Sequence, residues 1–488
     1  MEQIPEGVYQ RSIQSGKWFM ANIAVQKGLH LVTFFILARL LLPEDYGVMT
    51  LVMLVVGLLG QFTNPSFGDA LLQRKEGVER FLDAVWTFEL LRAVVLAAIL
   101  TVCAPILGMW FHIPSALLVL FPLNGFLLIL SAFSNARQMY FFRDLQFHKV
   151  FIRDISTQGA YAAVTIGYAA FIDASVWALF YGLVAQTVVG VVASYALHPA
   201  RPGFSFQFMP LRSLWRFSRW VYGQDMLDAL LAQIDKVFLG ALLTTTEVGL
   251  YTRAQSVAST GTALVASLVT KVGFPAFSKL QDQLGKVQQG LLKSIDILLV
   301  TSLPISLLLL LEGGALVTLF LGPNWVGLVV PLKIFAFGNL FVAFVRVVNP
   351  ILAALGRPDI NFRTNILQVC VTVPLMYVGV RVAGVRGLAA TIVVMWLALL
   401  AYVIWRARPV LNMPKRDFLP AIASGFAAGA GAFMVDVSLR VFTEATDVRM
   451  GILRAAIAGA LYTVVLLGVS WRFRAGPWYT LRAILQGR

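Results

Sequence analysis

Apolar stretches long enough to cross a bilayer follow one another along this chain almost without pause, separated by short polar turns. A helix needs about 20 apolar residues to span the hydrocarbon core, and inside lipid it satisfies its own backbone hydrogen bonds. Fourteen such spans are predicted, at about 18–41, 47–67, 85–108, 115–134, 154–172, 175–197, 220–243, 249–274, 294–315, 328–349, 362–382, 385–405, 418–439 and 452–471. Turn chemistry separates them, as in Leu42-Pro43-Glu44-Asp45-Tyr46-Gly47, Thr244-Thr245-Thr246-Glu247-Val248-Gly249 and Gly322-Pro323-Asn324-Trp325. The fold class expected is therefore an all-α polytopic membrane protein of about 14 helices.

Composition agrees. Hydrophobic residues make up 59% and charged residues 13%, about half the charged share of a soluble domain. The net charge of +15 sits in short loops between apolar runs, so it sets topology and does not form a nucleic-acid patch. In the loops that share a side with the N-terminus there are 26 lysines and arginines. The opposite loops hold five: Arg39, Arg381, Arg386, Arg440 and Arg449. That alternation holds along the whole chain and places both termini in the cytoplasm. The first sixteen residues are polar, so the run from Trp18 to Leu42 is expected to stay in the membrane and not to be removed as a signal peptide. Cys103 and Cys370 lie far apart inside apolar stretches and read as packing residues.

No stretch outside the spans exceeds about 20 residues, which leaves no room for a catalytic domain and argues against a membrane glycosyltransferase or ligase. The chain has no GxxxxGK[ST] sequence, so ATP hydrolysis is not expected. HExxH and Ser/His/Asp arrangements are also missing, and His112, His148 and His198 fall in loops without metal-ligand spacing. No cofactor is expected beyond H⁺ or Na⁺ as a coupling ion.

A sparse internal repeat is present at an offset of 202 residues. Lys17-Trp18 matches Arg219-Trp220, Leu40-Leu41 matches Leu242-Leu243, and Gly47 matches Gly249. It suggests a six-helix lobe over 1–200, a second over 201–412, and two further helices with a tail over 413–488. Each lobe starts on the same side, so the repeats are parallel and related by an axis along the membrane normal, with a cavity between them. Prolines at Pro65, Pro122, Pro304 and Pro374 are expected to interrupt spans. The tail from Trp471 is basic and aromatic and reads as an amphipathic helix on the inner leaflet.

Charges within spans are the functional candidates, because each is costly in lipid. Asp225, Asp228 and Asp235 share one face of the seventh span, with Lys236 beside them. Asp228 and Asp235 either bind the coupling ion or make interhelical ion pairs; Asp225, near the cytoplasmic end, reads as solvated. The eighth span carries Arg253, Ser256, Thr260, Ser267 and Lys271 near one face. Such cations match phosphate oxygens, or they snorkel at the helix ends. Lys27 lies in the first span three residues from His30, Arg346 ends the tenth, and Glu89 and Arg92 in the third can pair with each other. The substrate-binding set expected is Lys27, Arg92, Arg253, Lys271 and Arg346. The ion-coupling set is Asp228, Asp235 and Glu89.

Several segments carry a family resemblance. They are Ser15-Gly16-Lys17-Trp18, Ala38-Arg39-Leu40-Leu41, Pro43-Glu44-Asp45-Tyr46-Gly47, Phe67-Gly68-Asp69, Gln73-Arg74-Lys75 and Asp144-Leu145-Gln146-Phe147-His148-Lys149. Phe274-Pro275-Ala276-Phe277-Ser278-Lys279-Leu280-Gln281-Asp282, Gly322-Pro323-Asn324-Trp325 and Val330-Pro331-Leu332 complete the series. In this order they resemble the Wzx-type polysaccharide flippases, colanic-acid exporter branch, of the multidrug/oligosaccharidyl-lipid/polysaccharide exporter superfamily. The resemblance covers about the first 360 residues; the last hundred look only like generic membrane helices. It implies two six-helix lobes around a V-shaped cavity in the bacterial inner membrane. The implied substrate is an undecaprenyl-pyrophosphate-linked repeat unit, moved outward by alternating access under an ion gradient or the membrane potential. The implied partners are that lipid, the surrounding membrane lipids, and the polymerase and chain-length machinery. The alternative within the superfamily is a cation-coupled multidrug antiporter, which needs an excess of cavity acids.

Overall fold

The computed structural model describes residues 6–68, 71, 78–144, 146–207, 211–268, 277, 280, 283–355, 358–412 and 457. Among them the regular elements are α-helices and short 3₁₀ turns. In chain order the helices are α1 (Glu6–Leu40), α2 (Pro43–Thr63), α3 (Glu79–Trp110), α4 (Leu120–Ala132), α5 (Met139–Arg143), α6 (Phe147–Phe171) and α7 (Val176–Ala196). Then come α8 (Leu211–Leu242), α9 (Thr245–Leu268), α10 (Leu284–Phe320), α11 (Val329–Ala354) and α12 (Pro358–Leu411). Each span predicted between 18 and 405 falls on one of these helices. Seven helical stretches among the described residues are long and apolar enough to cross a membrane. The protein is an all-α polytopic membrane protein. The spans predicted at 418–439 and 452–471 and the tail from 471 lie outside the described residues.

α12 is two helical arms joined at a break. Ala383 and Gly384 leave helical geometry, and Gly384 takes φ +54° with ψ −134°, a combination that a side chain would obstruct. The break falls between the spans expected at 362–382 and 385–405. The arms meet at Gly379 and Gly387, where a Cβ on either would run into the other's carbonyl oxygen.

Two of the four prolines expected inside spans fall elsewhere. Pro65 lies beyond the end of α2, and Pro122 sits in the first turn of α4, where the missing N–H has no helical partner in any case. Pro304 and Pro374 are inside helices, and so are Pro105, Pro350 and Pro409.

Contacts divide the chain into two compact units, Met1–Gly249 and Leu250–Arg488. In the first, α1 packs on α6, with Trp18 edge-on to Phe151 at 5.1 Å between ring centroids. Asn22 Nδ2 donates to Asp154 Oδ2 across the same seam (2.9 Å), and Arg153 holds the other oxygen of Asp154. α3 packs on α4, α6 on α7, and α2 on α8. In the second unit α10, α11 and α12 share a core that includes Leu298, Phe344, Val347, Ile351 and Val403. Trp325, from the Gly-Pro-Asn-Trp turn, is fully buried there.

The repeat offset reappears as a physical contact inside the first unit. A Cβ on Gly47 would run into the Thr245 carbonyl, and one on Gly249 into the Pro43 carbonyl. Pro43 and Thr245 are themselves 202 residues apart, so the contact is reciprocal. The helix starts match as well. Leu42 N donates to Asp45 Oδ2 (3.0 Å), and Thr244 N donates to Glu247 Oε2 (3.0 Å), an acidic side chain capping each first turn.

The connection from α7 to α8 is strapped to the first unit. Arg137 pairs with Asp83 and donates to the Arg201 carbonyl (2.7 Å), Asn135 Nδ2 donates to the Ala200 carbonyl, and Gly203 N donates to Asp83 Oδ1. His198 lies against Tyr140 and Phe141. Burial, reinforced by Lys149 and Arg137, holds its imidazole below the usual histidine range.

Candidate functional site

The site begins with α3, because the sequence puts two opposite charges one turn apart in an otherwise apolar helix. Arg92 donates from Nε to Glu89 Oε2 (2.8 Å), and its Nη2 closes on the same oxygen. Its Nη1 reaches α2, donating to the Gly60 carbonyl (3.0 Å) and to Thr63 Oγ1 (3.1 Å). The side chains keep 20% exposure for Arg92 and 29% for Glu89, so the pair is half-buried. The pairing that the spacing of three allowed is formed, and it also clasps the end of α2. Four of the five guanidinium N–H groups are thereby used.

This clasp forms one wall of a cavity of about 280 Å³ between α2, α3 and α4. Gly60, Trp86, Glu89, Arg92, Ser131 and Ser134 line it, with apolar surface from Val85, Leu96 and Leu128. Trp86 is 5% exposed, packs against Phe133 and Phe204, and its indole Nε1 is buried without a hydrogen-bond partner. Among the described residues, both bonds to Glu89 end on Oε2. Sequence reading missed Trp86, since a tryptophan in an apolar span gives no signal until its neighbours are known.

The acidic face of α8 is not uniform. Asp225 is half-buried and accepts from Ser66 Oγ (2.9 Å), so it holds the chain leaving α2 instead of standing solvated. Tyr222 O–H adds a bond to the Phe62 carbonyl one turn away. Asp228 is exposed, and Asp235 is 5% exposed and accepts the Lys236 backbone amide (2.8 Å). The Lys236 ammonium donates to Gln233 Oε1 (2.6 Å).

Ser66 holds φ +54°, a left-handed conformation that costs a non-glycine residue about 1–2 kcal/mol. Ser66→Gly relieves that strain while losing the Asp225 bond, and Ser66→Ala loses the bond with the strain kept. The alanine variant is therefore expected to be the less stable by about 1 kcal/mol, read as the lower thermal midpoint in detergent.

The remaining candidates are spread out. Lys27 and His30 are exposed along α1, and Arg253 is half-buried on α9 between buried neighbours Thr252 and Ala254. Arg346 falls within α11, which runs on past it to Ala354; its side chain and the whole of Lys271 lie outside the described residues. The structure brings together Arg92 and Glu89. It does not gather Lys27 with them.

Comparison with known proteins places the chain in a family. A family described as polysaccharide biosynthesis protein matches residues 36–330. The chain is similar to the lipopolysaccharide biosynthesis protein WzxC of Escherichia coli (strain K12), with 22% identity over 88% of each chain. It is also similar to the succinoglycan biosynthesis transport protein ExoT of Rhizobium meliloti (strain 1021), with 27% identity over 63% of this chain and 62% of that one. Its fold is that of a solved lipid II flippase, MurJ, at TM-score 0.71 and 13% identity, covering 92% of this chain and 98% of that one. With the family match running over more than half of its length, this chain belongs to the polysaccharide biosynthesis protein family.

Proposed function

We propose that this protein carries undecaprenyl-pyrophosphate-linked oligosaccharide repeat units from the cytoplasmic to the periplasmic leaflet by alternating access. It is a transporter and not an enzyme: a relative is named a transport protein, and the fold is that of a flippase. The observation that carries the finer reading is Arg92, a guanidinium held half-buried between apolar helices at the wall of a cavity. A cation and its paired carboxylate maintained there at a desolvation cost suit a cargo that brings a polar headgroup between the helices. Arg253 on α9 supplies a second half-buried cation. Asp228, Asp235 and Glu89 are the candidates for H⁺ or Na⁺ coupling, with both termini cytoplasmic in the bacterial inner membrane. A product delivered to the periplasmic leaflet would pass to the polymerase and chain-length machinery.

The acids of α8 support the cation-antiporter reading, and ligand stabilisation separates the two. A polyprenyl-pyrophosphate oligosaccharide is expected to raise the thermal midpoint of the purified protein, whereas ethidium leaves it unchanged. Ligand at 100 times its Kd stabilises by about 2.7 kcal/mol, a shift well within reach of a melting curve. Stabilisation by ethidium and none by the lipid-linked sugar would move the assignment to the antiporter.

A further inference from the structure

The cavity between α2, α3 and α4 has a lining that selects its occupant. Its two charges, Glu89 and Arg92, neutralise each other. A bare phosphate would have to displace Glu89 from Arg92 and then sit beside the released carboxylate, and a bare cation would meet the converse barrier. Among the described residues the pair leaves over one acceptor, Glu89 Oε1, and one guanidinium N–H. A hydroxyl group donates and accepts at once, so neighbouring hydroxyls satisfy both. Trp86 puts its ring in the wall, with the indole N–H buried beneath that surface. Ser131 and Ser134 add uncharged polar groups, and Val85, Leu96 and Leu128 give apolar surface for C–H faces. The volume of about 280 Å³ lies at the lower edge of small-molecule sites, which fits one ring and not a chain of them.

We infer that this cavity is a binding site for a single neutral sugar ring, held by Glu89 and Arg92 against the Trp86 ring in its wall. The inference rests on the flippase reading for its biological meaning, since it would make the cavity a subsite for one sugar of the lipid-linked glycan. The cavity lies between the end of α2, the first half of α3 and the end of α4, the ends near Arg80 at the start of α3 and Arg137 in the turn after α4. These positions are on the side that the distribution of lysine and arginine assigns to the cytoplasm, where a lipid-linked sugar would first be met.

The test uses the full-length protein in phosphatidylcholine nanodiscs with ¹⁵N-labelled indole. Trp86 is assigned by the signal lost in Trp86→Phe, a variant that keeps a ring against Phe133 and Phe204. Methyl glucoside, methyl galactoside and N-acetylglucosamine are titrated in turn. The expected result is a saturable shift of the Trp86 signal with at least one sugar, weakened about fivefold or more in Glu89→Gln, where a carboxylate oxygen is lost. A Trp86 signal unmoved by all three sugars overturns the inference, whether the signal then moves with phosphatidylethanolamine or stays fixed with every probe. Lipid-linked oligosaccharide flipping by the same preparation separates the two failures. Flipping without a sugar shift sinks the cavity assignment alone, and a sugar shift without flipping leaves a sugar site in a protein that is not a flippase.

Discussion

Gly47→Ala lowers the thermal midpoint of the purified protein, and Gly249→Ala does the same by a similar amount. At both positions the added methyl runs into a backbone carbonyl, that of Thr245 in one case and of Pro43 in the other. A backbone at the start of a helix has little freedom to retreat, so the cost is that of overpacking, about 1–3 kcal/mol or more. Close helix crossings of this kind are where small residues are needed in membrane proteins. The control lies in the same helix. Gly57 has nothing within 4 Å of where its Cβ would be. Gly57→Ala is therefore expected to be neutral or to stabilise by up to about 1 kcal/mol, through helix propensity. Equal midpoints for Gly47→Ala and Gly57→Ala would contradict the crossing.

Breaking the Glu89–Arg92 clasp gives the second large effect, and a double-mutant cycle reads it cleanly. Arg92→Ala removes three kinds of bond at once: to Glu89, to the Gly60 carbonyl and to Thr63. It also leaves a carboxylate in a half-buried place in an apolar helix. Charge-assisted bonds contribute about 1.5–3 kcal/mol each when one partner is removed, and the partial exposure of both side chains keeps the value toward the lower end. Glu89→Ala strands the guanidinium in the same way. Removing both leaves no unpaired charge, so the double variant loses less than the two single losses together, with a coupling of about 0.5–3 kcal/mol. Strict additivity would show that the pair is not formed in the membrane. Arg92→Ala is also expected to slow flipping more than the double variant's stability loss accounts for, because the cavity wall is rebuilt around a free carboxylate.

Much of this architecture is legible in the sequence for one physical reason. Lipid forces hydrophobicity on whole helices, so spans such as 85–108 and 175–197 stand out before any packing is known. The break in α12 was equally visible, because Ala383-Gly384 interrupts a run too long for one crossing. Proline was a weaker guide. Pro65 carries the same residue signal as Pro304 but falls after a helix end, and only the length of α2 decides between the two. The Glu89–Arg92 pairing followed from spacing alone, since residues three apart meet on a helix. The clasp onto Gly60 and Thr63 did not, because it depends on which face of α3 meets α2. Asp225 was misread for the same reason: nothing near it in sequence announces Ser66, 159 residues away. The Gly47–Gly249 match carried the most hidden information. As letters it is two glycines at one offset, and as structure it is a reciprocal contact.

The measurement that bears most directly on the central claim is translocation in proteoliposomes. Purified protein is reconstituted with a polyprenyl-pyrophosphate oligosaccharide, and outward movement is followed with and without a pH or Na⁺ gradient. The account predicts gradient-dependent movement that falls at least tenfold in Arg253→Ala and in Lys271→Ala, each a rise of about 1.4 kcal/mol or more in the barrier. It is contradicted if no lipid-linked sugar moves under any gradient while the same vesicles export a soluble organic cation.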